Sequence, residues 1–155
     1  MKTLIIGLGN PILGDDGVGW RVAEEVATKT TDWPEVEVDC ASLGGLSLME
    51  RLTGSERVIL IDSIFTGQKP VGTVSQFTLS DLPDLTAGHS ASAHDTSLRN
   101  ALNVGRVMDI LLPNDENVII VAIEAENVYD FSQELSPPVA EAVPQAVKAV
   151  LDLID

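Results

Sequence analysis

The segment TLIIGLGNPILGDDGVG, residues 3–19, is the part of the sequence most informative about the architecture. Its apolar beginning predicts a buried strand over Thr3–Leu8. A glycine-rich turn follows and ends in Asp15 and Asp16, and Gly17–Thr30 then carries apolar side chains with the spacing of an amphipathic helix. The stretch therefore predicts a strand, a turn and a helix, and it raises the question of what two adjacent aspartates do in such a turn.

The remaining segments alternate between strand and helix patterns. Further strands are predicted over Val36–Ala41, Arg57–Ile64, Thr73–Leu79 and Val118–Ile123. The apolar run of Arg57–Ile64 is typical of a central parallel strand, whereas the alternation in Thr73–Leu79 favours an antiparallel edge strand. With the helices, this order predicts a single α/β domain over residues 1–155: a three-layer α/β/α fold whose twisted, mostly parallel sheet has about five strands.

Three more helices are predicted. The first covers Gly44–Leu52, and a loop over Ser80–Ser92 precedes the second, which begins at His94 or Asp95. The inward-facing residues of that second helix are expected to be Leu98, Ala101, Leu102, Met108 and Leu111, with Pro113 and Asn114 as its stop. Ser136 and Pro137 cap the last helix, which runs towards Ile154 and which Pro144 should kink or divide.

Composition and charge exclude several classes of protein. The chain of 155 residues is 45% apolar and has a formal net charge of −15. That charge argues against a nucleic-acid partner and favours a cation or a basic protein segment. The single cysteine cannot form an internal disulfide, and no stretch approaches the roughly 20 apolar residues of a membrane span. We expect a cytoplasmic monomer that contacts no membrane.

The glycine-rich turn does not match a nucleotide-binding loop. A dinucleotide fingerprint G-x-G-x-x-G would need glycine where Ile12 stands. Asp15 and Asp16 would also oppose a phosphate at the start of the helix. Capping of the helix explains one aspartate but leaves the second unexplained.

Three side chains at the ends of predicted elements form a candidate metal site. Asp16 ends the turn, Asp62 ends the apolar run VILI, and His94 begins a helix; His89 is a weaker candidate. Each has an ordinary alternative as a cap, a turn residue or a surface histidine. Together they could balance a divalent cation, and imidazole suits zinc or nickel better than magnesium or calcium.

These residues resemble those of a known family, the hydrogenase maturation proteases. The resemblance covers nearly the whole chain and is carried by Asp62, by the sequence Ser-Ala before His94, and by the first motif. The first-motif residues are Gly7, Gly9, Asn10, Asp16 and Gly19. Members are nickel-dependent endopeptidases that trim the C-terminus of the large subunit of nickel-iron hydrogenases. The resemblance implies that Asp16, Asp62 and His94 are the metal-binding and catalytic residues, and it leaves Asp15 as the helix cap.

The resemblance is looser after the second strand. The family often has Asp-Gly-Gly-Thr or Asp-Cys-Gly-Thr there, whereas this chain has DCAS at residues 39–42. The segment resembles a substrate-recognition region, which implies such a role for Asp39, Ser42 and Gly44. Because the segment departs from the family pattern, the sequence does not indicate which class of hydrogenase is processed. Cys40 is either a reactive thiol or, as we favour, a small apolar core residue.

The family resemblance also implies a substrate, the large-subunit precursor that already holds nickel. The nickel would be supplied by the precursor, and water would be the nucleophile. Either the metal lowers the pKa of that water or an aspartate acts as general base. Two alternatives remain at this point: a non-catalytic nickel-binding accessory protein of hydrogenase assembly and a metal-dependent aminopeptidase-like hydrolase.

Overall fold

The structure, a computed structural model, describes residues 2–81 and 93–155, with side chains in the second range from residue 98 onward. The strands are β1 (Thr3–Leu8), β2 (Val36–Ala41), β3 (Arg57–Ile64), β4 (Val74–Thr78) and β5 (Val118–Glu124). The α-helices are α1 (Val18–Lys29), α2 (Gly45–Leu52), α3 (Ala93–Val107) and α4 (Pro137–Ile154). The predicted order of elements is confirmed.

The strands form one sheet in the order β2-β1-β3-β5-β4. All neighbouring pairs are parallel except β4 with β5, which is antiparallel. Strand β3 is central, and it is buried from Val58 to Ile64 because both of its faces are covered by helices. The predicted α/β class, with one antiparallel edge strand, is confirmed.

Alternating side chains divide the core into two layers. Val58 and Leu60 of β3 belong to a cluster with apolar residues of α2 and α3. Ile59 and Ile61 belong to a second cluster with residues of α1 and α4. This alternation follows from the two-residue period of a strand and makes the three-layer arrangement. In the described ranges, every helix is too short or too polar to span a membrane.

Helix α3 ends earlier than predicted. Its Leu98, Ala101 and Leu102 are buried as expected, but Met108 and Leu111 are 66% and 75% exposed, so their inward placement was wrong. The chain turns at Asp109, whose φ is 62°, and Ile110 N donates to the Gly105 carbonyl at 3.0 Å. This left-handed turn ends the helix well before Pro113.

The start of α4 is as predicted, with Ser136 as the N-cap residue and Pro137 as the first helical residue, although the Ser136 side chain makes no capping hydrogen bond to the helix. Pro144 lies inside α4 and does not divide it. Of the predicted loop over Ser80–Ser92, residues 80 and 81 belong to a short 3-10 turn, and the rest lies outside the described residues together with His89.

Candidate active site

The candidate site lies at the carboxyl ends of β1 and β3. Strand β1 lies between β2 and β3. After β1 the chain forms β2 on one side of it and then β3 on the other side, so the direction in which strands are added reverses between β1 and β3. Open parallel sheets bind ligands at such a switch point. Asp62 is fully buried in β3, two residues before its end, and stands in register with Ala122 of β5. Its Oδ1 accepts a hydrogen bond of 2.9 Å from Ser63 N.

Asp16 is brought to the same edge by the turn after β1. Its Oδ2 accepts a hydrogen bond of 2.8 Å from Asn10 N, and its Oδ1 accepts one of 3.1 Å from the Ser63 hydroxyl. Ser63 follows Asp62 directly, so Asp16 is bonded to the neighbour of Asp62 in β3. The structure therefore brings Asp16 and Asp62 to one end of the central strands.

Two glycines allow this close approach. Gly9 has a φ of +125°, and a Cβ built there would overlap the Asp16 carbonyl oxygen. A Cβ on Gly19 would overlap the carbonyl oxygens of Leu8 and Ile61. Because neither position has room for a side chain, the turn can fold back over the end of β1 and α1 can begin directly against the sheet.

Asp15 is not the helix cap that the sequence suggests. It is fully buried in a 3-10 turn over Gly14–Gly17, and the N-cap residue of α1 is Gly17. Its Oδ1 accepts a hydrogen bond from Ser136 N at 2.7 Å, and its Oδ2 accepts bonds from Ser136 Oγ at 2.7 Å and from the backbone of Asn127 at 3.1 Å and Glu126 at 3.3 Å. Asp15 therefore ties the turn to the segment between β5 and α4.

The pKa of Asp15 is lowered from its usual value. Burial by itself raises the pKa, but the hydrogen bonds from Ser136, Asn127 and Glu126 stabilise the carboxylate and outweigh that effect. The group is therefore an ionised structural carboxylate at neutral pH.

The third predicted ligand, His94, lies in the first turn of α3. Helix α3 packs on the face of the sheet to which the alternation of β3 assigns Asp62. The His94 side chain lies outside the described residues. Among the side chains that are described, no three His, Cys, Asp or Glu residues come together as a metal site, so the three-ligand set remains a prediction.

The predicted recognition segment lies beside the turn. The Ser42 hydroxyl donates a 2.6 Å hydrogen bond to the Gly9 carbonyl oxygen. Asp39 pairs with Arg51, with Oδ2 3.1 Å from Nε, and Gly44 is the N-cap residue of α2. The Ser42 bond therefore holds the chain just after β2 against the glycine-rich turn, and the Asp39–Arg51 pair joins β2 to α2.

Cys40 is half-buried against the α1 and α4 side of the core. Burial, with a further contribution from Glu24 and Asp39, raises the pKa of its thiol to about 11. At neutral pH the thiol is protonated and weakly nucleophilic. This environment favours a packing role for Cys40 over a catalytic one.

Alkylation of Cys40 by iodoacetamide at pH 8 should be about a hundredfold slower than alkylation of a thiol with the ordinary pKa, because so little thiolate is present. The rate should rise about tenfold for each pH unit below about pH 11 and should reach half of its maximum at about that pH, where the thiol is half ionised. Mass spectrometry of timed samples measures the rate, and the chain unfolded in urea is the fast-reacting control. A native rate equal to that control would contradict the raised pKa.

A sequence model described as hydrogenase maturation protease, HycI, matches residues 20–153. The chain belongs to the hydrogenase maturation protease family. The match includes Asp62 and His94 but begins after Asp16.

Named relatives agree with this membership. The hydrogenase expression/formation protein HupD of Bradyrhizobium diazoefficiens is 23% identical over 146 residues, which are 94% of this chain and 74% of HupD. A putative hydrogenase maturation protease of Methanocaldococcus jannaschii is 28% identical over 150 residues, which are 96% of this chain and 93% of that protein.

Solved structures share the fold. The nickel-iron hydrogenase maturation protease HybD from Thermococcus kodakarensis has a TM-score of 0.76 and 24% identity, and each chain is covered fully. The hydrogenase maturating endopeptidase HybD from E. coli has a TM-score of 0.77 and 21% identity, with 99% of this chain and 92% of that chain covered. The architecture of this protease is thus that of the family.

The sequence patterns did not single out two buried polar residues near the carboxyl ends of the strands, Ser63 and Glu124. Ser63 directly follows Asp62 near the end of β3, and its hydroxyl reaches Asp16 in the turn after the neighbouring strand β1. Glu124 was also missed: it is buried at the end of β5 and accepts hydrogen bonds from Thr66 N at 2.8 Å and Thr66 Oγ1 at 2.6 Å. The sequence feature that could have identified Glu124 is a single acidic residue directly after the apolar run of β5.

Proposed function

We propose that this protease removes a short C-terminal peptide from the nickel-loaded large-subunit precursor of a nickel-iron hydrogenase. The observation that supports the proposal is the hydrogen bond from the Ser63 hydroxyl to Asp16, because it holds Asp16 at the carboxyl end of β3, where Asp62 is the neighbour of Ser63. Family membership gives the reaction class, and the names of the relatives associate them with hydrogenase maturation.

The site residues have distinct proposed roles. Asp16, Asp62 and His94 bind the nickel that the precursor brings, and two carboxylates with one imidazole suit that cation. Held there, the precursor's nickel would fix the distance to the peptide bond that is cut and would supply Lewis-acid chemistry, with an aspartate general base as the alternative way to activate the water. Asn10 N and the Ser63 hydroxyl orient the Asp16 carboxylate through hydrogen bonds of 2.8 and 3.1 Å. Much of the rate would come from this positioning of the substrate.

The recognition segment completes the proposed site. Asp39, Ser42 and Gly44 are proposed to contact the precursor beside the cut, and the bond between Ser42 and Gly9 in the turn supports this role. The net charge of −15 supports a partner that presents basic residues. We further propose that the protease works as a monomer in the cytoplasm.

Intact mass measurement tests the proposal. The purified protease is mixed with nickel-loaded large-subunit precursor and, as the control, with nickel-free precursor. We expect the loss of a C-terminal peptide from the loaded form alone, because only that form carries the cation for Asp16, Asp62 and His94.

Other outcomes would contradict the proposal in distinct ways. Unchanged masses across several hydrogenase classes, with retained binding of the loaded precursor, would identify a non-catalytic accessory protein. Hydrolysis of short peptides without any precursor would identify an aminopeptidase-like enzyme.

A further inference from the structure

Two aromatic side chains stand in solvent close to the candidate active site. Tyr129 and Phe131 are each 84% exposed, although the chain has only six aromatic residues. Both lie in the segment between β5 and α4. A single exposed apolar residue is ordinary, but two large rings so close in sequence are a feature of binding surfaces.

The backbone on both sides of these rings is fixed to the turn that carries Asp16. Asp15 N donates to the Asn127 carbonyl oxygen at 2.7 Å, and Gly14 N donates to that of Ser132 at 2.8 Å. Ser132 N in turn donates to the Ile12 carbonyl oxygen at 2.9 Å. Tyr129 and Phe131 therefore lie between two anchored points beside the active-site turn.

A third apolar side chain extends this surface. Ile12 is 45% exposed and belongs to the turn itself. We call Ile12, Tyr129 and Phe131 the aromatic rim. Because the anchored backbone limits the entropy lost on binding, the rim is organised in advance for contact with a partner.

The charge of the segment that carries the two rings favours a basic partner. The segment from residue 126 to residue 136 contains Glu126, Asp130 and Glu134 but neither lysine nor arginine. Aromatic rings next to acidic side chains complement an apolar patch that is bordered by Lys or Arg. The cationic side chains of that patch can also stack on the faces of the rings.

We propose that the aromatic rim is a docking surface for the folded body of the hydrogenase large-subunit precursor, on which it contacts an apolar patch bordered by basic residues. This inference rests on the proposed function. A precursor whose peptide bond reaches Asp16 must cover the surface around that turn, and the rim is bonded to the turn. The rim thus binds substrate at a distance from the bond that is cut.

Steady-state kinetics with nickel-loaded precursor test this inference. The double variant Tyr129→Ser/Phe131→Ser should raise KM about tenfold, with a much smaller change in kcat, because a few aromatic residues that become buried on binding commonly dominate interface affinity. Its matched control is Val107→Ser/Leu111→Ser, which alters side chains that are 85% and 75% exposed. The control residues lie near the amino ends of the strands, away from the active-site turn. This follows because the Leu111 carbonyl oxygen accepts a hydrogen bond from Gly54 N, and Gly54 shortly precedes the start of β3. We expect the control to keep the wild-type KM.

Two results would overturn the inference: an unchanged KM in the rim variant, or an equal rise in the control. Failure of the proposed function is a separate result, since the wild-type protease would then leave the precursor uncut. The Kd for nickel-loaded precursor, measured by biolayer interferometry, would still test docking in that case. Rim docking requires a Kd about tenfold higher for the rim variant than for the control.

Discussion

Asp16→Asn and Asp62→Asn should each lower the rate of precursor cleavage by about a thousandfold or more. Asparagine has almost the same size as aspartate, but it removes the negative charge that would bind the nickel of the precursor. At position 16 it can still accept from Asn10 N and bond to the Ser63 hydroxyl, so the fold should be kept. Single-turnover cleavage of nickel-loaded precursor measures the rate, and circular dichroism checks the fold.

Asp152→Asn is the matched control for these two variants. Asp152 is an exposed acid in α4 that pairs with Lys148 at 2.6 Å, and it should be dispensable for cleavage. Wild-type activity in Asp16→Asn or Asp62→Asn would show that the site assignment is wrong.

The histidine assignment has its own internal control. His94→Ala should abolish cleavage if the imidazole completes the ligand set, whereas His89→Ala should leave cleavage nearly unchanged. Equal losses in both variants would remove the reason for preferring His94.

The strands were the most predictable part of the fold. The bounds of β1, β2 and β3 agree with the sequence patterns, because long apolar or alternating runs allow few other arrangements. The end of α3 was not predictable in this way. Its last turn is ended by the left-handed conformation of Asp109, which a search for Gly and Pro overlooks.

The candidate site was predictable only in part, since its support comes from distant residues. The positions of Asp16 and Asp62 near the ends of predicted elements indicated that both lie at the same end of the sheet. The parallel pairing of β1 and β3 places them there. The hydrogen-bond partner of Asp15 could not be predicted from the neighbouring sequence, because Ser136 is 121 residues away along the chain. For the same reason the structural role of Asp15 was mistaken for that of a helix cap.

Asp15→Ala should lower the free energy of unfolding by about 3 kcal/mol or more. The variant leaves donors of Ser136, Asn127 and Glu126 without their carboxylate acceptor in a buried place. Urea unfolding at pH 7, followed by circular dichroism, measures the loss. Ser136→Ala removes only the hydroxyl donor and should cost about 1 kcal/mol. A loss below about 0.5 kcal/mol in Asp15→Ala would contradict the role of this residue as the tie between the turn and α4.

The pH dependence of this loss gives an independent test. The folded-state pKa of Asp15 lies below the usual 3.8, because the hydrogen bonds to its carboxylate outweigh the opposing effect of burial. The charged form thus stabilises the folded protein, and the contribution is complete above the unfolded-state pKa. It is lost as the pH falls through the folded-state pKa, since both states then bind the proton. The difference in unfolding free energy between wild type and Asp15→Ala should therefore be constant from pH 7 to about pH 5 and should shrink below about pH 4. A difference that grows on acidification would require Asp15 to be protonated in the folded protein, and its hydrogen bonds would then have to be reassigned.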